Sequence, residues 1–394
     1  MNDFYRGYLD ADPHREGTHC LKWDERERVF GRADVIPLWV ADMDFPTAPA
    51  VRDALVARAQ HALYGYTLHG EDERQAEIDW QKRRHGVTLE SDWILSSPGV
   101  IDSMVLAIRA LSEPGDRVIL QPPVYGPFFG SVDRTGRVQR LNNLLETEDG
   151  WRMDFEDLEQ ALREGARLLL LCNPHNPVGR LWTPEELGRA FALTKEYGAK
   201  VIVDEIHADF VLPGAVSSRS YALPDTDHVV VLGSSTKSFN LAGLRSSSVY
   251  VKDPDLRERV RAEFNAVGLG GPNLFGALAQ KTAFETGDEW MDAVCEYIGE
   301  NRDYAERYIA ERIPEIRARH LEGSYLLWLD CRGLGMEQAD LCRMMAQEAG
   351  VGLGDGLGFG EAGRGFLRMN LATQRRNVVQ GLENIRAALD RRKG

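Results

Sequence analysis

From residue 93 onward, short apolar runs of four or five residues recur, separated by longer stretches of mixed polarity. Residues 93–96, 118–121, 138–141, 168–172, 201–204, 229–232 and 247–251 each read as a buried strand. One of the intervals carries clear helix signals. Thr183-Pro184-Glu185-Glu186 supplies an N-cap, a proline at the first helical position and a glutamate at the third, and Gly198 closes the segment. Strands that are apolar throughout and alternate with helices predict an α/β unit with a mostly parallel central sheet flanked by helices. In such sheets ligands sit beyond the carboxyl ends of the strands.

The pattern differs at both ends of the chain. Residues 1–34 are polar, charged and without period, and read as an arm or irregular segment. Ile36-Pro37-Leu38-Trp39-Val40-Ala41-Asp42-Met43-Asp44-Phe45-Pro46 then reads as a strand running into a loop. A helix is expected from about Ala48-Pro49 to Gln60, with Val51, Leu55 and Val56 on one face. Beyond residue 280 the pattern predicts a charged helix over 289–312, a strand over 323–330, and a helix over 336–349. A glycine-rich loop over 351–365, a strand over 366–371 and a final helix follow. The expected division is an N-terminal arm (1–47) belonging to a small domain, a large domain (48–285), and a small α+β domain (286–394).

Composition narrows the function classes. Of the 394 residues, 43% are hydrophobic and 27% charged, as in an ordinary globular protein. No apolar run approaches the ~20 residues that span a bilayer, so no membrane partner is expected. The first residues lack the apolar core of a signal peptide, which makes the cytoplasm the expected compartment. A formal charge of −14 disfavours nucleic acid as a partner. The five cysteines show no CxxC spacing, so neither a metal site nor a disulfide framework is expected.

Candidate chemistry gathers where predicted strands end. Ser234-Ser235-Thr236-Lys237 follows the 229–232 run, with Arg245 eight residues beyond the lysine. A lysine in this setting is either a solvated surface residue or the amine that pyridoxal phosphate uses for a Schiff base. The hydroxyls and Arg245 would suit the phosphate. Asp204 at a strand end either caps the next turn or keeps a pyridine nitrogen protonated. His207, taken singly, reads as a satisfied polar residue. The prolines and glycine of Asn173-Pro174-His175-Asn176-Pro177-Val178-Gly179 would hold the Asn176 amide rigidly. Ser97-Pro98-Gly99-Val100 opens a helix to about Leu111, whose first amides suit an anion. Pro122-Pro123-Val124-Tyr125 offers a ring for stacking. Arg368, in an apolar strand, needs an anionic partner, either a substrate carboxylate or an internal Asp or Glu. The glycines at 352, 354, 356, 358 and 360 precede a strand rather than a helix, which argues against a dinucleotide site.

In this order and spacing the motifs resemble the fold-type I pyridoxal-phosphate enzymes of the aminotransferase class I/II family, over nearly the whole chain. Residues 38–45, 204–209 and 237–244 are similar to its cystathionine β-lyase (C–S lyase) subgroup in particular. The resemblance implies Lys237 as the Schiff-base lysine and the base that moves the Cα proton. It implies Asp204 on the pyridine nitrogen, Asn176 and His207 on the ring hydroxyl, and Tyr125 stacked on the ring. Gly99, Val100, Ser234 and Arg245 would hold the phosphate, joined by Tyr66 from the neighbouring subunit of a homodimer. Arg368, with Asn176 and the Val40–Ala41 backbone, would bind the carboxylate of a small amino-acid substrate. The implied reaction is β-elimination of cystathionine or a related cysteine S-conjugate, with transamination by the same residues as the alternative. The chain departs from the subgroup at Leu371-Ala372-Thr373-Gln374, where a Cys-Pro pair is usual, and this bears on substrate choice.

Overall fold

Five consecutive apolar residues, Leu168–Cys172, can all be buried only in a strand covered on both faces. The computed structural model, which describes residues 1–148, 150–269 and 271–393, places them inside a seven-stranded sheet. Its spatial order is Ile94–Ser97, Ser247–Val251, Val229–Gly233, Lys200–Asp204, Leu168–Cys172, Arg117–Leu120 and Val138–Leu141. Neighbours pair in parallel except at Ser247–Val251, which is antiparallel to both of its partners. Side chains alternate between the two faces. Leu169, Leu171, Val201, Val203, Val229 and Val231 enter one apolar layer, and Leu168, Leu170, Ile202, Val230 and Leu232 enter the other. The sequence pattern locates all seven strands to within about a residue, but apolar periodicity carries no direction, so the reversed strand is visible only in the fold. The helix after Thr183 forms with the expected capping box and ends before Gly198, which adopts a positive φ of 68°.

A second sheet has the order Ile36–Leu38, Val351–Asp355, Phe366–Asn370, Leu326–Asp330 and Arg317–Ala318. The N-terminal strand therefore pairs, in parallel, with a strand more than 300 residues away in sequence. The glycine-rich stretch expected to be a loop begins as one of these strands, because its glycines serve close approach rather than flexibility. A Cβ on Gly352 would lie 2.6 Å from the Phe30 ring, and one on Gly356 would lie 2.1 Å from the Gly363 carbonyl. Val351 and Leu353 are buried between these contacts. The helix expected over 336–349 is α-helical only over Gln338–Arg343 and widens into a π turn over Met344–Glu348. The helix Pro49–Gln60 begins at its predicted proline, but Val51 is buried while Val56 is half exposed.

The N-terminal arm is also more ordered than its polarity suggests. It contains short helices at Asp3–Asp10, Leu21–Asp24 and Arg26–Phe30; Leu9 of the first is fully buried in an apolar cluster, and charge pairs fix the arm farther along. Lys22 is fully buried, and its Nζ donates to Asp44 Oδ2 at 2.7 Å, while Arg15 binds both Asp42 and Asp44. Burial alone would raise the Asp44 carboxyl, but Lys22, Trp23 and Arg15 outweigh it and hold the group below the usual carboxylate range. Gln374, in the segment that departs from the subgroup, donates to the carbonyls of Leu9, Ala11 and Asp44. That departure anchors the arm, and its side chain does not face the candidate site. Among the described residues no helix is long and apolar enough to cross a membrane.

Removing one member of a buried ion pair strands the other without solvent. Asp44→Asn should therefore lower stability by about 3–5 kcal/mol in urea unfolding. The double variant Lys22→Met/Asp44→Leu should recover most of that loss.

Candidate active site

All strands of the large sheet but one run the same way, so the segments leaving their carboxyl ends collect along one edge. The reversed strand Ser247–Val251 starts at that edge, which brings Arg245, just ahead of it, to the same place. Gly99, Val100, Tyr125, Asn176, Asp204, His207, Lys237 and Arg245 line one cavity of about 230 Å³, together with Ala41 from the segment after Ile36–Leu38. These residues come from six separate strand ends and one loop. Ser234 is not in the lining. Its hydroxyl donates to the Ser246 carbonyl and caps the turn at Thr236, and Thr236 reaches the cavity instead. Tyr66 is fully exposed on the loop after the Pro49–Gln60 helix and lies outside this chain's own cavity.

Lys237 is half-buried, and its Nζ donates to the Ala41 carbonyl at 2.5 Å. Burial pushes its amine down to about 8, with Arg368 adding to the fall and Asp42 and Asp204 opposing it. A substantial share of the amine is therefore neutral and nucleophilic near physiological pH. Asp204, at the end of Lys200–Asp204, is buried, and among the described residues only the Ile206 amide donates to its carboxylate, at 3.0 Å. Burial raises its carboxyl to about 7, against the pull of that amide and of Lys237. It is an acid that a buried cationic ring would return to its ionised form. His207 is held neutral, first by burial and then by Lys237 and Arg368, and its Nδ1 is buried with no hydrogen-bond partner.

Arg368 is the other charged group of the site. Its Nη1 donates to Asn176 Oδ1 at 3.1 Å and its Nη2 to the Trp39 carbonyl at 3.0 Å, and it lies over the Phe359 ring. Among the described residues no carboxylate pairs with it, and its Nε has no partner. Burial brings the guanidinium down to about 10. Of the two anionic partners the sequence left open, the internal carboxylate is thus not present among the described residues. Asn173 and Asn176 also separate. Asn173 bridges Trp182 N and the Ser218 carbonyl, while Asn176 faces the cavity.

Several contributors were not legible in the sequence. Tyr325 donates to the Ala41 carbonyl at 3.0 Å and packs edge-on against His207. Asn370 Nδ2 holds the Val40 and Asp42 carbonyls, and Asn240 Nδ2 holds those of Met43 and Phe45. Asp209 accepts from His85 Nε2 at 2.6 Å, from Trp80 Nε1 at 3.0 Å and from the hydroxyl of Ser238, next to Lys237. It thereby ties the Lys237 turn to the turn that carries Asp204 and His207. Only the local run Asp204-Glu205-Ile206-His207-Ala208-Asp209 could have flagged Asp209.

A half-buried lysine near neutrality, a buried carboxylate and an imidazole nitrogen unpartnered among the described residues share this cavity with a helix amino end that has no side-chain cap there, beside an arginine. Together they define a lysine-centred site for an aldehyde cofactor that carries a phosphate, and the donor set fits pyridoxal phosphate. Residues 33–385 match the family model described as aminotransferase class I and II, and the chain belongs to that family. It is 38% identical to cystathionine beta-lyase PatB of Bacillus subtilis, over 97% of this chain and 99% of that protein. It is 31% identical to protein MalY of Escherichia coli, over 94% and 96% respectively. The crystal structure of cystalysin from Treponema denticola, described as containing a pyridoxal 5'-phosphate cofactor, matches with a TM-score of 0.94 at 31% identity. That match covers 97% of this chain and 98% of the other.

Burial would raise Asp209, but His85, Arg219 and Ser238 outweigh it and hold the carboxyl far below the usual carboxylate range. A group depressed on folding contributes stability above its unfolded value and loses it as pH falls toward the folded one. Asp209→Asn should cost about 3 kcal/mol near neutrality. The gap to the unsubstituted protein should narrow below about pH 4, which urea unfolding at a series of pH values would measure.

Proposed function

We propose that the protein is a pyridoxal-phosphate-dependent carbon–sulfur lyase that cleaves cystathionine or a related cysteine S-conjugate. With water, such a substrate gives a thiol (homocysteine from cystathionine), pyruvate and ammonia. The observation that carries the reading is Lys237, held by the Ala41 carbonyl in one cavity with Asp204, close to an Arg368 with which no carboxylate pairs among the described residues. The names of the relatives, cystathionine beta-lyase among them, support the lyase over the aminotransferase.

When bound, pyridoxal phosphate supplies an electron sink for the charge left at Cα. This chain's residues supply the rest. Lys237 takes the Cα proton, a role suited to an amine with a value of about 8. Asp204 would keep the ring nitrogen protonated, Asn176 and neutral His207 would serve the ring oxygen, and Tyr125 would pack on the ring. Arg368 and Asn176, with the Trp39–Ala41 backbone, receive the substrate carboxylate, where a guanidinium gives planar, paired donors. Gly99, Val100 and Arg245 would hold the phosphate, with Thr236 in the same cavity lining. Tyr66, exposed on its own chain, completes the phosphate site of the partner in a homodimer of a cytoplasmic enzyme.

L-cystathionine without any 2-oxo acid should give sustained release of pyruvate and thiol in equal amounts. One turnover that stops, then resumes when a 2-oxo acid is added, would make the protein an aminotransferase. Lys237→Ala should lower kcat by at least about 10³-fold. Arg368→Met should act mainly on KM, by about 10²-fold, the worth of a lost charged hydrogen bond. Light scattering should give a dimer, and a fully active monomer would refute the place assigned to Tyr66.

A further inference from the structure

The donors assigned to the cofactor phosphate already face an anion of the protein itself. Gly99 is the N-cap of the helix Val100–Leu111 and has no side chain to accept from the first-turn amides. Asp102, three residues on, folds back over it, and a Cβ built on Gly99 would lie 2.8 Å from Asp102 Oδ2. That same oxygen accepts from Arg245 Nη2 at 2.7 Å. The carboxylate lines the cavity and rests at a helix amino end, where negative charge is favoured. Both elements of the seat, the helix amino end and Arg245, therefore meet Asp102.

A phosphate carrying between one and two negative charges requires the same donors. To take Arg245 it must loosen the ion pair with Asp102, and it then sits beside a like charge. Both effects oppose phosphate binding, so they add rather than cancel. Glycine at position 99 permits this approach, since any side chain there would push the carboxylate away.

We propose that Asp102 is an internal competitor for the cofactor phosphate, which weakens retention and lets the cofactor exchange with a free pool. The inference rests on the cofactor reading given above. Asp102 acts through Arg245 and through the field at the helix end, so it is a positioning residue for the phosphate seat and not one of its ligands.

The test is titration of cofactor-stripped protein with pyridoxal phosphate, followed by absorbance and by quenching of intrinsic fluorescence. A parallel titration uses pyridoxal, which has the ring and aldehyde but no phosphate. Asp102→Asn, which keeps the shape and removes the charge, should tighten pyridoxal phosphate binding by about tenfold, the size of one partly screened charge pair. Its affinity for pyridoxal should be unchanged. Unchanged or weaker binding of pyridoxal phosphate by the variant would overturn the proposal, and so would an equal gain for pyridoxal. Unsubstituted protein that takes up neither compound would overturn the cofactor reading itself, and this proposal with it.

Discussion

The carbonyl of Ala41 organises the candidate site, because it accepts from both Lys237 Nζ and the Tyr325 hydroxyl. Lys237 belongs to the large sheet's edge and Tyr325 to the approach to the second sheet, so one backbone oxygen joins the two. It can do so only because the segment from Trp39 to Phe45 is immobilised. Asn370 grips it from the second sheet, Asn240 from the far end of the Lys237 turn, and Lys22 and Arg15 through Asp42 and Asp44. Neutral amide donors do this work beside the cavity, and charge does it farther out. A half-buried lysine then meets a carbonyl rather than a carboxylate, which leaves its amine near neutrality instead of locked as an ammonium.

The electrostatics of the cavity follow from the same economy. Asp204, His207, Lys237 and Arg368 are all displaced from their ordinary values, in each case first by burial. Among the described residues none is neutralised by a tight internal ion pair. A site built this way is short of partners for its own charges, and groups bringing a ring cation, a ring oxygen and a carboxylate would supply them. The Asp209 cluster behind Lys237 is different. There the carboxylate is fully supplied with donors and serves to hold the backbone turns together.

Legibility in the sequence depended on how local each cause was. The seven strands of the large sheet, the Thr183 cap and the helix at Pro49 were readable because apolar period and capping are properties of neighbouring residues. Gly99, Tyr125, Asn176, Asp204 and Lys237 were readable as candidates because each stands at the end of such a run. The strand at Val351–Asp355 was misread because glycine was taken as a loop signal, when its reason is the Phe30 ring pressed against Gly352. The arm was misread because its polar residues find buried partners in Asp42 and Asp44, which no local pattern shows.

By itself, then, the sequence determined which segments of the large sheet would be strands and which unusual side chains would lie at their ends, since side-chain period and turn chemistry act over a few residues. The tertiary structure decided what those side chains meet. It reversed Ser247–Val251 so that Arg245 reaches the common edge, left Arg368 with no carboxylate partner among the described residues, set Arg245 against Asp102, and set Ala41 against Lys237. Each of these contacts joins residues far apart in the chain or turns on the direction of a strand. Only the order and direction of strands within the large sheet, and the packing of its edge against a second sheet, bring them within hydrogen-bond distance.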